Sequence, residues 1–334
     1  MAALTGRGGA MQTVIITGGN TGLGYQCARE IAACGDWQVI IACRNKEKAD
    51  EAVQQLIAET SHQHVEAITL DLASLDSVRR FAQKFAAREL PPLKGIICNA
   101  GIQTTKRIYT QDGFETTFAV NHLGHFLLVN LLLRHMAPPG RIVFVSSGTH
   151  DPAQVTGMPK PRYENAELLA WPQKDQHTLN ESPAKAARRA YTTSKLCNIL
   201  CTYELTRRLH THGYGYGVGQ NSITVNAFDP GLMPGTGLAR DYTAGERFIW
   251  NFILPVLRFF IPNVNTPQQS GRALARLLLD PKLEGVSATY FEGLRAIPSS
   301  RDSYDLAKAG ELWRTSIKLT KLTPIECSTD LCRQ

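Results

Sequence analysis

Thr13-Val14-Ile15-Ile16-Thr17-Gly18-Gly19-Asn20-Thr21-Gly22-Leu23-Gly24 joins an apolar, β-branched run to a cluster of glycines, and a helical pattern from Tyr25 to Cys34 follows at once. The run from Thr13 to Thr17 reads as a buried strand, because it is apolar along its length and does not alternate. Glycines at a strand-to-helix turn let backbone approach a ligand closely. The helix beginning there offers free N–H groups and the positive end of its dipole, which suits an anion such as a pyrophosphate. The spacing is G-x-x-x-G-x-G and not the better-known G-x-G-x-x-G. A glycine turn alone says little; its place between a first strand and a helix points to a nucleotide.

The next strand, Trp37 to Cys43, ends in Arg44-Asn45, with Lys46 and Lys48 nearby. About 20 residues past such glycines, an acid would hold the 2′-hydroxyl of NAD, whereas an arginine accommodates the 2′-phosphate of NADP. Asp36 stands before the strand, at the wrong end, so the reading favours NADP(H). Helix and strand then alternate: Asn45 to Glu59 and His64 to Leu70, Ser74 (a plausible N-cap) to Arg88 and Leu93 to Cys98. This rhythm predicts an α/β fold, a doubly wound parallel sheet with right-handed crossovers. Ligands of such sheets sit at the carboxyl ends of the strands, where Gly18, Arg44, Asp71 and Asn99 fall.

Farther on, Gly113 to Met136 is expected as one long helix with Asn121 inside it. A mid-helix Asn calls for a reason, such as a distortion that frees a carbonyl, or a satisfied core amide. His122 and His125 lie nearby without a carboxylate or Cys at ligand spacing, and read as packing. Arg141 to Val145 is a further strand delivering Ser146-Ser147 to the same edge. Tyr191 and Lys195 stand four apart in an amphipathic run from Ala186 to Leu209, so both leave one helix face. A phenol titrates near pH ~10. An ammonium one turn away favours the phenolate and makes the tyrosine a usable acid/base.

Bulk composition agrees with a globular protein. Of 334 residues, 43% are hydrophobic and 19% charged, and 36 basic against 29 acidic side chains give +7. No dense basic tract argues for nucleic acid. The eight cysteines show no metal spacing and mostly occupy apolar segments, which suggests a reducing compartment. Cys327 and Cys332 could form a redox pair, but two idle thiols in a mobile tail are the expectation. Met1 to Gln12 lacks an apolar signal core, and no stretch reaches the ~20 apolar residues of a membrane span, so the cytoplasm is the default location.

Together these motifs resemble the short-chain dehydrogenase/reductase family from about Thr13 to about Phe291: Thr17-Gly18-x3-Gly22-Leu23-Gly24, Asn99-Ala100-Gly101, Asn121, Ser147 and Tyr191-x3-Lys195. Asp112-Gly-Phe-Glu115 and Asn121-His-Leu-Gly-His-Phe-Leu-Leu128 are similar to the retinol-dehydrogenase branch. Leu70-Asp71-Leu-Ala-Ser-Leu-Asp-Ser-Val-Arg-Arg-Phe81 and Ser194-Lys-Leu-Cys-Asn198 are similar to light-dependent protochlorophyllide reductases. The resemblance implies Tyr191 as proton donor and acceptor, and Lys195 lowering its pKa and holding the nicotinamide ribose. It implies Ser147 bonding the reacting oxygen and Asn121 holding a water that links Lys195 to solvent. It further implies that Gly18, Asn20, Thr21, Gly22, Leu23, Gly24, Arg44, Asp71, Leu72, Asn99, Ala100, Gly101, Tyr191, Lys195, Pro230 and Gly231 bind NADP(H).

Two departures from the family pattern matter. Gly148 to Ala184 carries Pro152, Pro159, Pro161, Pro172 and Pro183 without clear periodicity, so the region 148–187 reads as an inserted loop or lid. Leu232 follows Pro230-Gly231 where the photoenzymes are expected to have a Cys. Beyond Gly231 a substrate cover is expected. Arg247 to Ile261 is apolar nearly all round, suited to a pocket helix, a core helix or contact with a membrane surface. The last expected elements are a helix from Thr266 to Leu279, a strand from Ser287 to Phe291 and a helix from Asp302 to Ile317. The expectation is one Rossmann-type domain, monomer or homodimer, with residues 13–147 mainly holding cofactor and 188–334 the catalytic helix, lid and C-terminal helix. Its expected activity is NADP(H)-dependent hydride transfer at an alcohol or carbonyl of a bulky lipophilic substrate. Light-dependent protochlorophyllide reduction and a catalytically idle NADPH-binding scaffold are the alternatives.

Overall fold

The computed structural model describes residues 10–211, 222–233 and 263–327. Its frame is one eight-stranded sheet in the order β3-β2-β1-β4-β5-β6-β7-β8. The strands are β1 Gln12–Thr17, β2 Trp37–Cys43, β3 Val65–Thr69, β4 Leu93–Cys98, β5 Met136–Val145, β6 Ile223–Asp229, β7 Tyr290–Glu292 and β8 Arg295–Ile297. All pairs are parallel except β7 with β8. Strand order reverses between β1 and β4, and there the carboxyl ends leave a crevice.

Period-two geometry explains the apolar strands. Val14 and Ile16 of β1 belong to the core beneath helices α1 (Gly22–Ala32), α2 (Lys46–Thr60) and α8 (Pro267–Leu279). Ile15, between them, belongs to the opposite core. That second core is covered by α3 (Leu75–Ala86), α4 (Thr116–His135), α7 (Pro183–Thr211) and α9 (Leu306–Thr320). A sheet buried on both faces has no polar alternation to show. The helices start where capping chemistry allows. Asn45, Ser74, Thr266 and Asp305 each accept a hydrogen bond from a backbone N–H in the first turn of α2, α3, α8 and α9.

Several expectations change. The Gly113–Met136 helix begins at Thr116, and its residues Ala119–Leu123 form a π turn around Asn121, so the mid-helix Asn does mark a distortion. This helix has the length and composition of a membrane span, yet its apolar stretch lies inside the protein, as the core helix of the fold, with Arg134 and His135 exposed at its end. The region 148–187 is not a bare loop. It contains a helical turn at Gly148–His150 and the short helices α5 (Ala166–Ala170) and α6 (Gln176–Leu179), and α7 already starts at Pro183. Proline spacing hid these because each helix is barely one turn long. The strand expected at Ser287–Phe291 is β7, shifted to Tyr290–Glu292, and β6 and β8 were not expected. Cys327 is buried and disulfide-bonded and so is no idle thiol, while Cys332 and the segment 247–261 lie outside the described residues.

Candidate active site

A cavity of about 1460 Å³ runs along the carboxyl edge of the sheet. Its cofactor-side wall holds Gly18, Asn20, Thr21, Gly22, Leu23, Arg44, Asp71, Leu72, Asn99, Ala100, Gly101, Pro230 and Gly231, all expected from the sequence. Gly18 and Gly22 have φ of +65° and +56°, a conformation costly for any residue with a Cβ. Nothing lies within 4 Å of where a Cβ on Gly22 would project. Thr21 occupies the N-cap of α1 without making a side-chain bond, unlike the caps of α2, α3, α8 and α9. The first N–H groups of α1 therefore face the cavity uncapped, which fits a pyrophosphate. Arg44, Asn45 and Lys48 stand together at the far end of this wall, past β2.

Gly24 has another duty. It does not line the cavity; a Cβ there would stand 2.5 Å from both Asn99 Nδ2 and Gly18 O, so glycine lets α1 sit against the loop. Asn99 Nδ2 also donates to Thr17 O at 2.8 Å, tying β4 to β1 at the switch point. Thr17 is saturated. Its Oγ1 accepts from the backbone N–H groups of Asn99 and Ala100 at 2.9 Å each and lies 2.9 Å from His125 Nε2. His125 Nδ1 reaches Asn121 O at 3.2 Å, and because a carbonyl only accepts, the ring proton sits on Nδ1 and Nε2 accepts from Thr17. Burial holds His125 neutral, with its pKa pushed down to about 4.

Asn121 itself lies beneath the cavity wall. Its Oδ1 accepts from Ile102 N at 2.8 Å, while Nδ2 donates to Ile102 O and Ser194 Oγ at 3.0 Å each. Its amide thus clamps the segment after β4 to α7. Asn121 lies within the π turn, with its side chain bonded to Ser194 of α7 and its carbonyl bonded to His125.

Tyr191, Lys195 and Ser147 all line the cavity. Lys195 Nζ lies 5.4 Å from the Tyr191 ring centroid and donates to Val145 O at 3.1 Å. Ser146 Oγ donates to Lys195 O at 2.8 Å, fastening α7 to the end of β5. Only 4% of Lys195 is exposed, and desolvation lowers its pKa to about 8 against an opposing pull from Asp229. The ammonium is thus present at neutrality but weakly held. Ser147 Oγ accepts from Thr149 N at 3.3 Å, which leaves its own proton for another partner.

Sequence reasoning missed Asp229, Arg188 and the stretch Gln154–Met158, which line the same cavity. Arg188 could have been found, since it stands three residues before Tyr191 and shares its helix face. Asp229 is buried, and its carboxyl is pushed up by desolvation and held by Gly231 N at 2.9 Å and Tyr290 Oη at 3.2 Å. No local pattern announces that. His122 packs flat on Phe118 and bonds Ser316 Oγ at 3.0 Å. Among the described residues no group of His, Cys, Asp or Glu could hold a metal ion.

Residues 12–158 match the family described as short chain dehydrogenase. The chain is 36% identical over 313 residues to a WW domain-containing oxidoreductase of Danio rerio, covering 93% of this chain and 68% of the relative. It is 36% identical over 314 residues to retinol dehydrogenase 13 of Homo sapiens, covering 93% and 85%. A crystal structure of an uncharacterized protein from Mycobacterium Paratuberculosis superposes with a TM-score of 0.66 at 32% identity, covering 93% of this chain and 94% of that one.

Proposed function

Since this chain belongs to the short-chain dehydrogenase family, whose members are oxidoreductases, we propose that it moves hydride between NADP(H) and an alcohol or carbonyl of a bulky lipophilic substrate. The observation that carries this reading is the buried Lys195 ammonium poised beside the Tyr191 ring on the wall of a cavity that also holds the uncapped start of α1.

The nicotinamide, when bound, supplies or accepts the hydride; the chain's own residues handle binding, alignment and the proton. The backbone of Gly18 to Leu23 would hold the pyrophosphate, and Arg44, with Lys48, would bind the 2′-phosphate. In reduction, Tyr191 gives its phenolic proton to the carbonyl oxygen, and the nearby ammonium stabilises the phenolate charge left behind. Ser147 Oγ–H bonds the same oxygen and fixes its direction. Asn121 keeps Ser194, and with it the turn carrying Tyr191 and Lys195, at a fixed distance from Gly101 and Ile102. Val155, Met158, Leu232 and Met233 give the substrate side an apolar lining, which supports a lipophilic substrate.

The test is NADPH oxidation with retinal, other lipophilic aldehydes and ketones, and protochlorophyllide, in darkness and under light. Tyr191→Phe should lose carbonyl reduction by ~10²–10⁴-fold while binding NADPH nearly as before. Undiminished turnover in that variant would remove Tyr191 from the proton step. Turnover of protochlorophyllide only under light would move the reaction to a ring double bond, and NADPH binding without turnover of any substrate would favour a scaffold.

A further inference from the structure

We infer that His150 is a positioning residue for Ser147, gripping its carbonyl as a neutral imidazole whose proton is on Nδ1. The inference rests on the role just proposed for Ser147. Two donors from one residue meet the Ser147 carbonyl: the His150 backbone N–H at 3.1 Å and ring Nδ1 at 2.7 Å. A carbonyl has two lone pairs, so His150 fills both. On its other side the ring meets the Ser300 backbone N–H, which donates to Nε2 at 3.0 Å. A carbonyl at one nitrogen demands a proton there, and a backbone N–H at the other demands a bare lone pair. Only the neutral Nδ1–H tautomer satisfies both.

The surroundings favour that form. His150 is 1% exposed and burial lowers its pKa, against pulls from Ser147 O and the neighbouring Asp151. The Tyr290 ring lies tilted against the imidazole with centroids 4.9 Å apart, and its hydroxyl bonds Asp229, the one carboxylate that reaches this cluster from β6. Imidazolium would point an N–H at the Ser300 N–H and break the link to the segment between β8 and α9.

The consequence falls on catalysis. Ser147 is the last extended residue before the helical turn Gly148–His150, and its Oγ is already oriented by Thr149 N. With both lone pairs of its carbonyl engaged, the peptide plane after Ser147 is held, and with it the Cα from which Oγ projects at the cavity wall. A displacement near 1 Å of such a group can cost about 10²-fold in rate.

The amide of Asn stands near the Nδ1 position of His, whereas the amide of Gln stands near Nε2. His150→Asn can therefore keep the bond to Ser147 O, and His150→Gln can keep only the bond to Ser300. Measured on the carbonyl compound that the wild-type protein reduces, kcat should stay within about 3-fold in His150→Asn. It should fall ~10- to 100-fold in His150→Gln, with KM for NADPH unchanged in both. A role in stability alone would move the Tm of both variants and would not separate their kcat values. Independently of any substrate, 15N-histidine spectra of the wild-type protein at pH 7 should show Nδ1 protonated and Nε2 bare for His150. Equal kcat in the two variants, or a protonated Nε2, overturns the inference. Ser147→Ala, assayed alongside, separates the two levels. Full activity there removes the role of Ser147, whereas lost activity there with equal His150 variants removes only the grip.

Discussion

Lys195→Met should make the protein more stable at pH 7 and nearly inactive. The wild-type ammonium is buried, and desolvation brings its pKa from 10.5 to about 8. At ~1.36 kcal/mol per pKa unit, the charge costs the fold about 3 kcal/mol at neutrality. The sign follows from proton counts. Between pH 8 and 10.5 the unfolded chain keeps the proton and the folded one sheds it, so wild-type stability rises with pH across that window and the penalty is present below it. Methionine fills similar space without charge. The bond lost to Val145 O offsets about 1 kcal/mol of the gain, but that carbonyl keeps Asn198 Nδ2 at 3.1 Å and is not orphaned. The expected net gain is about 2 kcal/mol, or a few degrees in Tm, in thermal melts of the protein without cofactor at pH 7. At pH 10.5 the gain should shrink or vanish, since the wild-type amine is then neutral when folded. Turnover should fall ~10²–10⁴-fold. A variant destabilised equally at both pH values would refute the reasoning, because Lys195 would then be a structural donor and not a charge held at a cost.

Arg44→Asp should weaken NADPH far more than NADH, by ~1.5–3 kcal/mol if a charged hydrogen bond to the 2′-phosphate is lost; titration with both cofactors checks this, and equal losses would mean that Arg44 does not read the 2′-phosphate. Gly24→Ala sets a Cβ 2.5 Å from Asn99 Nδ2 and Gly18 O, so it should cost ~1–3 kcal/mol in urea unfolding and loosen cofactor binding. Wild-type behaviour there would show that the loop has slack. Burial holds His122 near a pKa of about 3 and His125 near about 4, while the unfolded chain titrates near ~6.5. Both contributions are complete above ~6.5 and are lost as pH falls, about 2 kcal/mol each at pH 5. Urea midpoints at pH 7.5 and 5 should show this slope, and His125→Gln should flatten it by about half.

Legibility of the fold followed the reach of each signal. The strand Thr13–Thr17 and its glycine turn could be read because everything they need lies within a dozen residues. The same holds for the Thr266 cap of α8, where Thr266 and Gln269 form a reciprocal capping box. The Gly148–Ala184 segment resisted reading for the opposite reason. Its helices α5 and α6 are too short to show a period, and Glu311 of α9 anchors the first of them through the N–H of Ala166 at 3.1 Å. Strand β6 was hidden by its polar residues: Asn226 bonds Val286 O at 2.7 Å and Thr289 N at 3.0 Å, side-chain work inside a buried strand.

The same distinction sorts the site. Tyr191 and Lys195 share a helix turn, so spacing alone made them a pair. His125 and His150 are each within a few residues of a catalytic motif, yet what makes them informative arrives from far away: Thr17 across the sheet for one, Ser300 for the other. Read locally, His125 sits in an apolar helical run, where packing is the sensible reading, and His150 sits in a polar turn that signals nothing. In the folded protein each bridges a carbonyl near the site to a group on a distant element, and each carbonyl fixes the same tautomer. A histidine that satisfies a carbonyl at Nδ1 and a donor at Nε2 is held neutral, and burial lowers the pKa of both rings. In the proposed mechanism it therefore serves to hold geometry, and the proton chemistry is left to Tyr191 and Lys195, whose ammonium is the group that burial brings close to neutrality.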